Sequence, residues 1–441
     1  MDRKWQRSRL MEFNRENLTA QFKTANIQDI VVLDQWPGER KTAAGCFFVM
    51  HRKTECLLKH TPSTAVLSSR LPKILDSHRR WFDAIRTVGV KISQSHDILL
   101  TGETTAAHPC CLRLGELFST NVLTIKQLSI ESLRKDLSKE RWQYRLSSGI
   151  IFCVIQQNTK MDRLLVEIAD NVFALSVGKN GNVEKALQHR LTSGDKSGRT
   201  FTLHDNTLTP KSVRESLLAA GAVDWLLLPH DEAKPATTDT IITKHRDLSD
   251  LDQSEYLIHW TRARPGAWPD QSAEDHWDDL IFGSGGFNHS DVYSLCRILA
   301  SRRIIASANL TRDSTPVVCF SNVPLGKLRD KTIFRKHLQR WDFLPYGIAI
   351  KRSTLTQQFD CRPVIYGSDE TWKTLPDSDR PFFQLKKTSD QKIDWQEEHE
   401  WRVIGDVDLR KVDLSDAVVF TGNEKDLEKL SQLSIFDLIV I

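Results

Sequence analysis

Between residues 64 and 190 the chain alternates short apolar runs with amphipathic stretches. TAVLSSR (64–70) predicts a strand, and HRRWFDAIRTVGV a helix after it. HDILL (96–100) predicts a buried strand, which breaks at TGETTAAHP and continues into the helical spacing of CCLRLGELF. GIIFCVIQ (149–156) is the strongest strand pattern of the chain. MDRLLVEIAD (161–170) predicts a helix, NVFALSV (171–177) a strand, and VEKALQHRL a further helix beyond a GKNGN turn. Strands and helices alternating through short turns predict a mostly parallel α/β sheet. Such sheets bind ligands at the carboxyl ends of their strands, where turns run into helix N-termini.

A polar stretch with few large apolar residues, 229–255, separates this region from one of different pattern. The predicted division is an N-terminal domain over 1–235, a linker over 236–254 and a C-terminal domain over 255–441. EYLIHWTRAR (255–264) predicts a strand with His259 and Thr261 on one face, and Trp260 and Arg262 on the other. GAWPDQSAEDHWDDL reads as a long polar excursion. SDVYSLCRILASRRIIAS predicts a helix with Ser290 as N-cap and Leu295, Ile298 and Leu299 on its buried face. Strands are predicted at 315–325, 346–355, 362–367, 400–409 and 416–422, and DLIVI closes the chain. Many short strands with few helices predict a mainly antiparallel α+β domain. Two basic stretches, 129–145 and 332–341, read as exposed charged helix faces, with contact to nucleic acid as the sharper alternative.

Composition narrows the class. A 40% apolar fraction and 12 tryptophans in 441 residues allow substantial cores. Lys and Arg number 61 against 57 Asp and Glu, so a net charge of +4 does not by itself indicate a polyanionic partner. Eight scattered cysteines form no CxxC pair or zinc spacing, and read as buried thiols of a cytoplasmic protein. The N-terminus has no apolar signal core, and no run of apolar residues is long enough to span a membrane.

Two turns carry phosphate-binding chemistry. In LLTGETTAAHP, Gly102 permits a tight turn, and Thr104 and Thr105 are placed to cap the next helix. In SVGKNGNVEKAL, Gly178 and Gly181 flank a lysine ahead of a helix. Neither is a Walker A loop or a GxGxxG fingerprint, and ordinary β–α turns are the alternative. Cys110 and Cys111 follow Pro109 at a helix start, where a thiolate would be stabilised unless burial prevails. ILLTGETTAAHP and MDRLLVEIADNVFALSVGKNGNVEKAL resemble the SLOG or Lonely-Guy-like Rossmannoid superfamily, over about 60–230. That resemblance implies a Rossmann-like fold binding a nucleotide or nucleotide-derived ligand. The family's GG-rich enzyme motif is missing, which favours sensing or scaffolding over hydrolysis.

DWQEEHEWRVIGDVDL (394–409) is the least ordinary stretch. As a strand it sets Glu398, Glu400 and Arg402 on one face, and His399, Trp401 and Val403 opposite. Paired carboxylates in a cleft can hold a sugar hydroxyl and stabilise a cationic centre, as glycosidic chemistry requires. The alternative is a charged strand edge in which Arg402 pairs with a glutamate. IHWTRAR, VVCFSNV and EEHEWR, in that order, resemble the ADP-ribosyltransferase fold over about 255–441. The resemblance implies NAD as substrate, with His259 and Thr261 at the adenosine ribose and Arg262 a second candidate for the first-strand role. It implies Ser321 on the middle strand, Glu400 as catalytic glutamate and Glu398 facing the acceptor. Trp395, Glu398, Glu400, Trp401 and Arg402 also resemble the WxxExEWR ending of an uncharacterised bacterial family.

The expectation is a bacterial stress or anti-phage defence protein. A nucleotide-sensing domain would control an NAD-dependent ADP-ribosyltransferase-like effector acting on a macromolecular acceptor, with no metal and no membrane, and homo-oligomerisation open. The rivals are a metal-dependent nuclease using Glu397, Glu398, Glu400 and histidines, and a non-enzymatic nucleotide- or protein-binding module. A metal site in EDHWDDL (His276, Asp275, Asp278, Asp279) competes with a solvated loop, and no GxSxG elbow supports a serine hydrolase.

Overall fold

The computed structural model describes residues 15–24, 28–37, 46–72, 75, 78–129, 144–155, 160–193, 198–227, 248–283, 288–308, 311–327, 332–335, 340–386 and 399–441. Two units divide the chain: Met1–Pro72, His78–Asp231 and Trp277–Ser284 in one, Lys73–Ser77, Glu232–His276 and Gly285–Ile441 in the other. Glu398, most of the expected linker and most of the basic stretch 129–145 lie outside the described residues.

The first unit is α/β. Its strands are β1 (Ile30–Leu33), β2 (Cys46–His51), β3 (Ser63–Ser68), β4 (Ile98–Gly102), β5 (Val122–Ser129), β6 (Ile150–Ile155), β7 (Asn171–Ser176), β8 (Thr200–Leu203) and β9 (Val223–Trp225). They form one sheet in the order β1-β2-β6-β5-β4-β3-β7-β8-β9. From β6 to β9 every neighbouring pair is parallel, and β1 and β2 add an antiparallel edge. The helices are α1 (Arg15–Thr24), α2 (Arg52–His60), α3 (Arg79–Ser95), α4 (His108–Leu117), α5 (Met161–Ile168), α6 (Asn182–Thr192) and α7 (Lys211–Ala219). β3 is buried along its whole length, as a central parallel strand covered on both faces must be. In α3, Trp81, Phe82, Ile85, Val88 and Ile92 recur at three- and four-residue steps and form its buried face. Gly89 lets α3 approach α4: a Cβ there would stand 2.9 Å from the Leu114 side chain.

The strands read from the sequence at 64–70, 96–100, 149–156 and 171–177 are present as β3, β4, β6 and β7. β5 was missed because polar Lys126 and Gln127 interrupt its apolar pattern. Buried polar groups lock the layers. Asp170 accepts from both Ser63 N–H and Ser63 Oγ at 2.8 Å, tying the start of β3 to the start of β7. Arg190 of α6 is buried, and its guanidinium donates to the carbonyls of Val166 (2.5 Å), Ala169 (2.7 Å) and Asp170 (2.6 Å) and to Thr200 Oγ1 (3.0 Å). It thereby satisfies carbonyls left over at the end of α5.

The second unit is built on a seven-stranded mixed sheet. Its strands are β10 (Tyr256–Trp260), β11 (Arg303–Ile304), β12 (Val317–Ser321), β13 (Ile333–Arg335), β14 (Arg340–Asp342), β15 (Tyr346–Lys351), β16 (Arg362–Pro363), β17 (Ile365–Gly367), β18 (Phe383–Leu385), β19 (Glu400–Ile404), β20 (Val407–Asp408), β21 (Ala417–Thr421) and β22 (Asp437–Val440). The main sheet runs β16-β19-β12-β10-β15-β21-β22, antiparallel except for the β21–β22 pair. Its helices are α9 (Asp291–Ser301), α10 (Arg352–Phe359), α11 (Asp369–Thr374) and α12 (Leu427–Ser431), while α8 (Ala273–Phe282) is divided, with Ala273–His276 in this unit and Trp277–Phe282 in the first. One sheet face sets Leu257, Phe320, Ile348 and Val403 against Leu295, Leu299 and Leu355. The other gathers Ile258, Trp260, Ala349, Val418 and Phe420.

Two expectations are corrected. Residues 273–282 form a helix with His276 buried, because Leu280 and Ile281 are apolar anchors inside an otherwise charged run. Within 332–341, β13 and β14 pair as an antiparallel ribbon, Ile333 opposite Asp342, so cross-strand bonding overrides the helical spacing of the charges.

Arg190→Met should leave these carbonyls without donors and lower stability by on the order of 3 kcal/mol. Urea denaturation should show an earlier midpoint with an unchanged m-value.

Candidate functional site

In the first unit the chain steps outward from β3 through β4 and β5 to β6, then returns to the other side of β3 with β7 and steps outward through β8 to β9. Connections leaving β3 and β7 therefore diverge, and the crevice at their carboxyl ends is the switch point of a doubly wound sheet. Ser69 N–H donates to Ser176 O at 2.8 Å, holding the two strand ends together. Gly178 N–H then donates to Ser69 Oγ at 2.7 Å. The turn closes through Gly181 N–H to Gly178 O at 3.1 Å, with Asn180 in the left-handed region at φ 60°. Gly181 is the N-cap of α6 and supplies no side-chain cap. Glu184 of the first turn accepts from Asn180 N–H, and the remaining first-turn N–H groups of this 11-residue helix open at the switch point with exposed Lys179 beside them. Helix dipole, uncapped N–H groups and a cation together favour an anion there.

The turn after β4 is different. Gly102 is buried, and a Cβ on it would stand 2.3 Å from Met161 Cγ, so packing alone accounts for this glycine. Thr105 N–H and Oγ1 both donate to Gly102 O at 2.9 Å, and Thr104 is exposed. Neither threonine caps α4, whose N-cap is Ala107 with no side-chain bond; two turn residues intervene before the helix starts. Burial lowers the pKa of His108 at the start of α4 against an opposing pull from Glu103, and its Nδ1 lies 3.2 Å from Thr101 Oγ1. Burial likewise pushes the Cys111 thiol up to about 12 and Cys110 well above its ordinary value, so burial prevails over the helix start.

In the second unit Glu400 opens β19. Its cross-strand partner is Ser321, and Arg402 stands opposite Cys319. Arg402 is 1% exposed and Glu400 14% on their side chains, so this is an interior pair and not a strand edge. Arg402 Nε donates to Glu400 Oε1 at 2.9 Å and Nη2 to Oε2 at 3.4 Å. The remaining donors reach Pro381 O and Phe383 O at 3.0 Å and Gln384 Oε1 at 2.8 Å. Burial works against the guanidinium charge, but Glu400 outweighs it and raises the Arg402 pKa. Burial, and then the Glu400 charge, hold the Cys319 thiol in its protonated form.

His259 sits elsewhere. Ile258 pairs with Ser321, which pairs with Glu400, so strand alternation places His259 on the opposite face of the sheet from both. Its partner across β15 is Ile348, and its ring lies 5.8 Å from that of Phe320. Nδ1 donates to Cys319 O at 2.9 Å, since a carbonyl can only accept. Burial lowers the His259 pKa to about 4, the Cys319 carbonyl opposing and Arg262 assisting. Thr261 is buried, its hydroxyl given to Tyr346 O at 3.1 Å. The strands therefore bring Ser321 and Glu400 together but separate His259 from them. His399, just before β19, has φ 44°, so the extended run begins at Glu400.

No family model matches the chain, and no curated protein matches it. Among solved structures, DNA processing protein A (DprA) from Streptococcus pneumoniae is 10% identical, covering 49% of this chain and 77% of that one at a TM-score of 0.33. The molybdenum cofactor carrier protein from Chlamydomonas reinhardtii is 14% identical, covering 38% and 90% at a TM-score of 0.27. Likenesses of this size carry no chemistry across, and the two sites stand on their own geometry. Among the described residues, no group of three or more metal-ligating side chains occurs, and no helix is long and apolar enough to cross a membrane. In EDHWDDL, His276 packs its ring 4.6 Å from His289.

Ser69 was missed in the sequence because its role depends on β7 returning beside β3, which local pattern does not reveal. The only local signal was a serine pair at the end of a buried strand.

Two outcomes follow for the second unit. Glu400→Gln removes the carboxylate from a buried guanidinium and should cost about 3 to 5 kcal/mol, measured by denaturant unfolding; an exposed pair would cost at most about 1 kcal/mol. His259 has a folded pKa near 4, against 6.5 unperturbed. The unfolded chain then binds the extra proton first, so the contribution is complete above pH 6.5 and drains away as pH falls toward 4. The loss should reach roughly 3 kcal/mol as an upper bound, and should appear as the difference between parent and His259→Asn curves measured from pH 7 to 4, because the variant lacks the titrating group.

Proposed function

We propose that the chain is a nucleotide-binding protein whose first unit seats a phosphate group at the β3–β7 switch point. The observation that carries this reading is the β7–α6 turn. Its Gly178 N–H is fixed by Ser69, and its helix opens without a side-chain cap beside an exposed lysine. Gly178, Asn180 and Gly181 give their N–H groups to Ser69 Oγ, the Glu184 carboxylate and Gly178 O, so the donors offered to a ligand are the first-turn N–H groups from Asn182 onward. Of the five residues singled out for phosphate, Gly178 and Gly181 fit the role. Gly102, Thr104 and Thr105 belong to a turn that Met161 and internal hydrogen bonds already fill.

A second reading concerns the other unit. Ser321 on a middle strand lies directly opposite Glu400 on a late one, which supports an ADP-ribosyltransferase-like arrangement with NAD as substrate. In that reading the first unit senses a nucleotide and the second acts on a macromolecule, as a stress or defence effector would. The commitment of Glu400 to Arg402 means that its carboxylate reaches a ligand only where that ion pair is shared or opened. NAD consumption by the purified protein, lost in Ser321→Ala, would support the reading; a rate equal to that of buffer would remove it.

For the first unit, nucleoside mono-, di- and triphosphates should be screened by thermal shift. A ligand at about a hundred times its Kd adds about 2.7 kcal/mol of stability. Lys179→Glu places a carboxylate at the turn without touching the core and should weaken the best ligand about tenfold or more, with the unliganded Tm unchanged. A panel that shifts neither protein contradicts the proposal.

A further inference from the structure

β2 and β6 are antiparallel neighbours, with Cys46 opposite Ile155 and Cys153 opposite Phe48. Residues two apart on a strand share a face, so the two cysteines lie diagonally across the pair on one face. Both pack into the same apolar core, and their thiols hydrogen-bond to each other. Cys153 is wholly buried and Cys46 partly exposed. Hydrogen bonding to Cys46 and then burial hold the Cys153 thiol protonated far above its ordinary range. Cys46 is thus the more exposed of the two residues, and a reagent arriving from solvent meets it first.

We propose that Cys46 and Cys153 are a reversible disulfide site, oxidised by low-molecular-weight disulfides of the glutathione class. The Cys46 thiol gives up its proton, and its sulfur attacks one sulfur of RSSR. The S–S bond breaks, RS⁻ leaves and takes a proton, and a mixed disulfide stands on Cys46. Cys153 then gives up its proton and attacks Cys46 Sγ, expelling the second RS⁻, which is protonated in turn. Two protein thiols are oxidised and one RSSR is reduced to two RSH. The order follows from access: the attacking thiol must meet the reagent, and the resolving thiol needs only to meet its neighbour.

Reversibility follows from placement. Diagonal partners stand about 7–8 Å apart at Cα, beyond the usual disulfide span of about 4.4–6.8 Å. Closing the bond therefore draws the strands together locally, and a strained disulfide is the easier to reduce. The closed bond would tie the β1–β2 edge to the parallel part of the sheet. β6, β5 and β4 lie between β2 and β3, so the site is remote from the switch point and independent of the nucleotide reading.

The test uses the full chain, native, with excess oxidised glutathione at about pH 8, followed by alkylation, digestion and mass spectrometry. A Cys46–Cys153 cross-linked peptide pair, two hydrogens lighter than the reduced pair and lost on dithiothreitol treatment, is the expected result. Tm should rise by several degrees on oxidation, because the bond restrains the unfolded chain. Cys153→Ser should trap the glutathione adduct on Cys46, and Cys46→Ser should leave Cys153 unmodified. Exposed Cys56 serves as the control that the reagent is active. A lasting glutathione adduct on Cys46 in the parent, or modification of Cys56 with Cys46 and Cys153 both still reduced, would overturn the proposal.

Discussion

Parallel strands cannot be joined by tight turns, and this constraint organises the first unit. Each crossover of the parallel part, β3 to β9, must carry the chain back to the starting edge, so these strands all end at one edge and α3, α4, α6 and α7 begin there. Where strand order reverses, as it does between β3 and β7, neighbouring connections part and leave a crevice with helix N-termini around it. The backbone groups there cannot all be satisfied by the sheet. Ser69 takes the Gly178 N–H and Glu184 the Asn180 N–H, and the first-turn N–H groups of α6 are left to a ligand or solvent. The candidate function is thus a consequence of topology, sharpened by a serine, two glycines and a lysine.

The second unit shows the opposite case, in which charged residues serve the interior. Glu400 and Arg402 would be mutually stabilising at an edge and nearly neutral in energy. Here the sheet and the 381–384 segment enclose them, and Arg402 acts as the hub that satisfies Pro381 O, Phe383 O and Gln384. Removing either partner leaves an uncompensated charge or several orphaned acceptors. An enzyme could still use such a carboxylate, since a preorganised charge in a dry site is what transition-state stabilisation requires. The fold constrains that use, because His259 reports to the opposite face of the sheet.

Local pattern made much of this legible. β3, β4, β6 and β7 announce themselves as short apolar runs, and α9 as a helix with its Ser290 cap, whose Oγ accepts from Tyr293 N–H. What stayed hidden depends on partners distant in sequence. Gly102 looked like a phosphate turn, and only Met161, 59 residues on, explains it. Glu400 and Arg402 read as a catalytic carboxylate strand or, alternatively, a charged edge, and neither reading reveals that β16 and β12 flank β19 and enclose the pair. The stretch 332–341 read as a helix because Lys336 and Arg340 stand four apart in sequence, and only the pairing of β13 with β14 shows otherwise.

The central claim is that the N–H groups of the β7–α6 turn receive a phosphate. Backbone amide shifts of the protein, titrated with pyrophosphate and then with the best nucleotide, test it directly. The account predicts that the largest changes fall on Gly178 to Glu184 and on Ser69, with the first-turn amides of Asn182 and Val183 moving downfield as they gain an anionic acceptor. Changes concentrated on Gly102 to His108, or spread evenly over exposed lysine-bearing surfaces with the 178–184 amides unmoved, would contradict it.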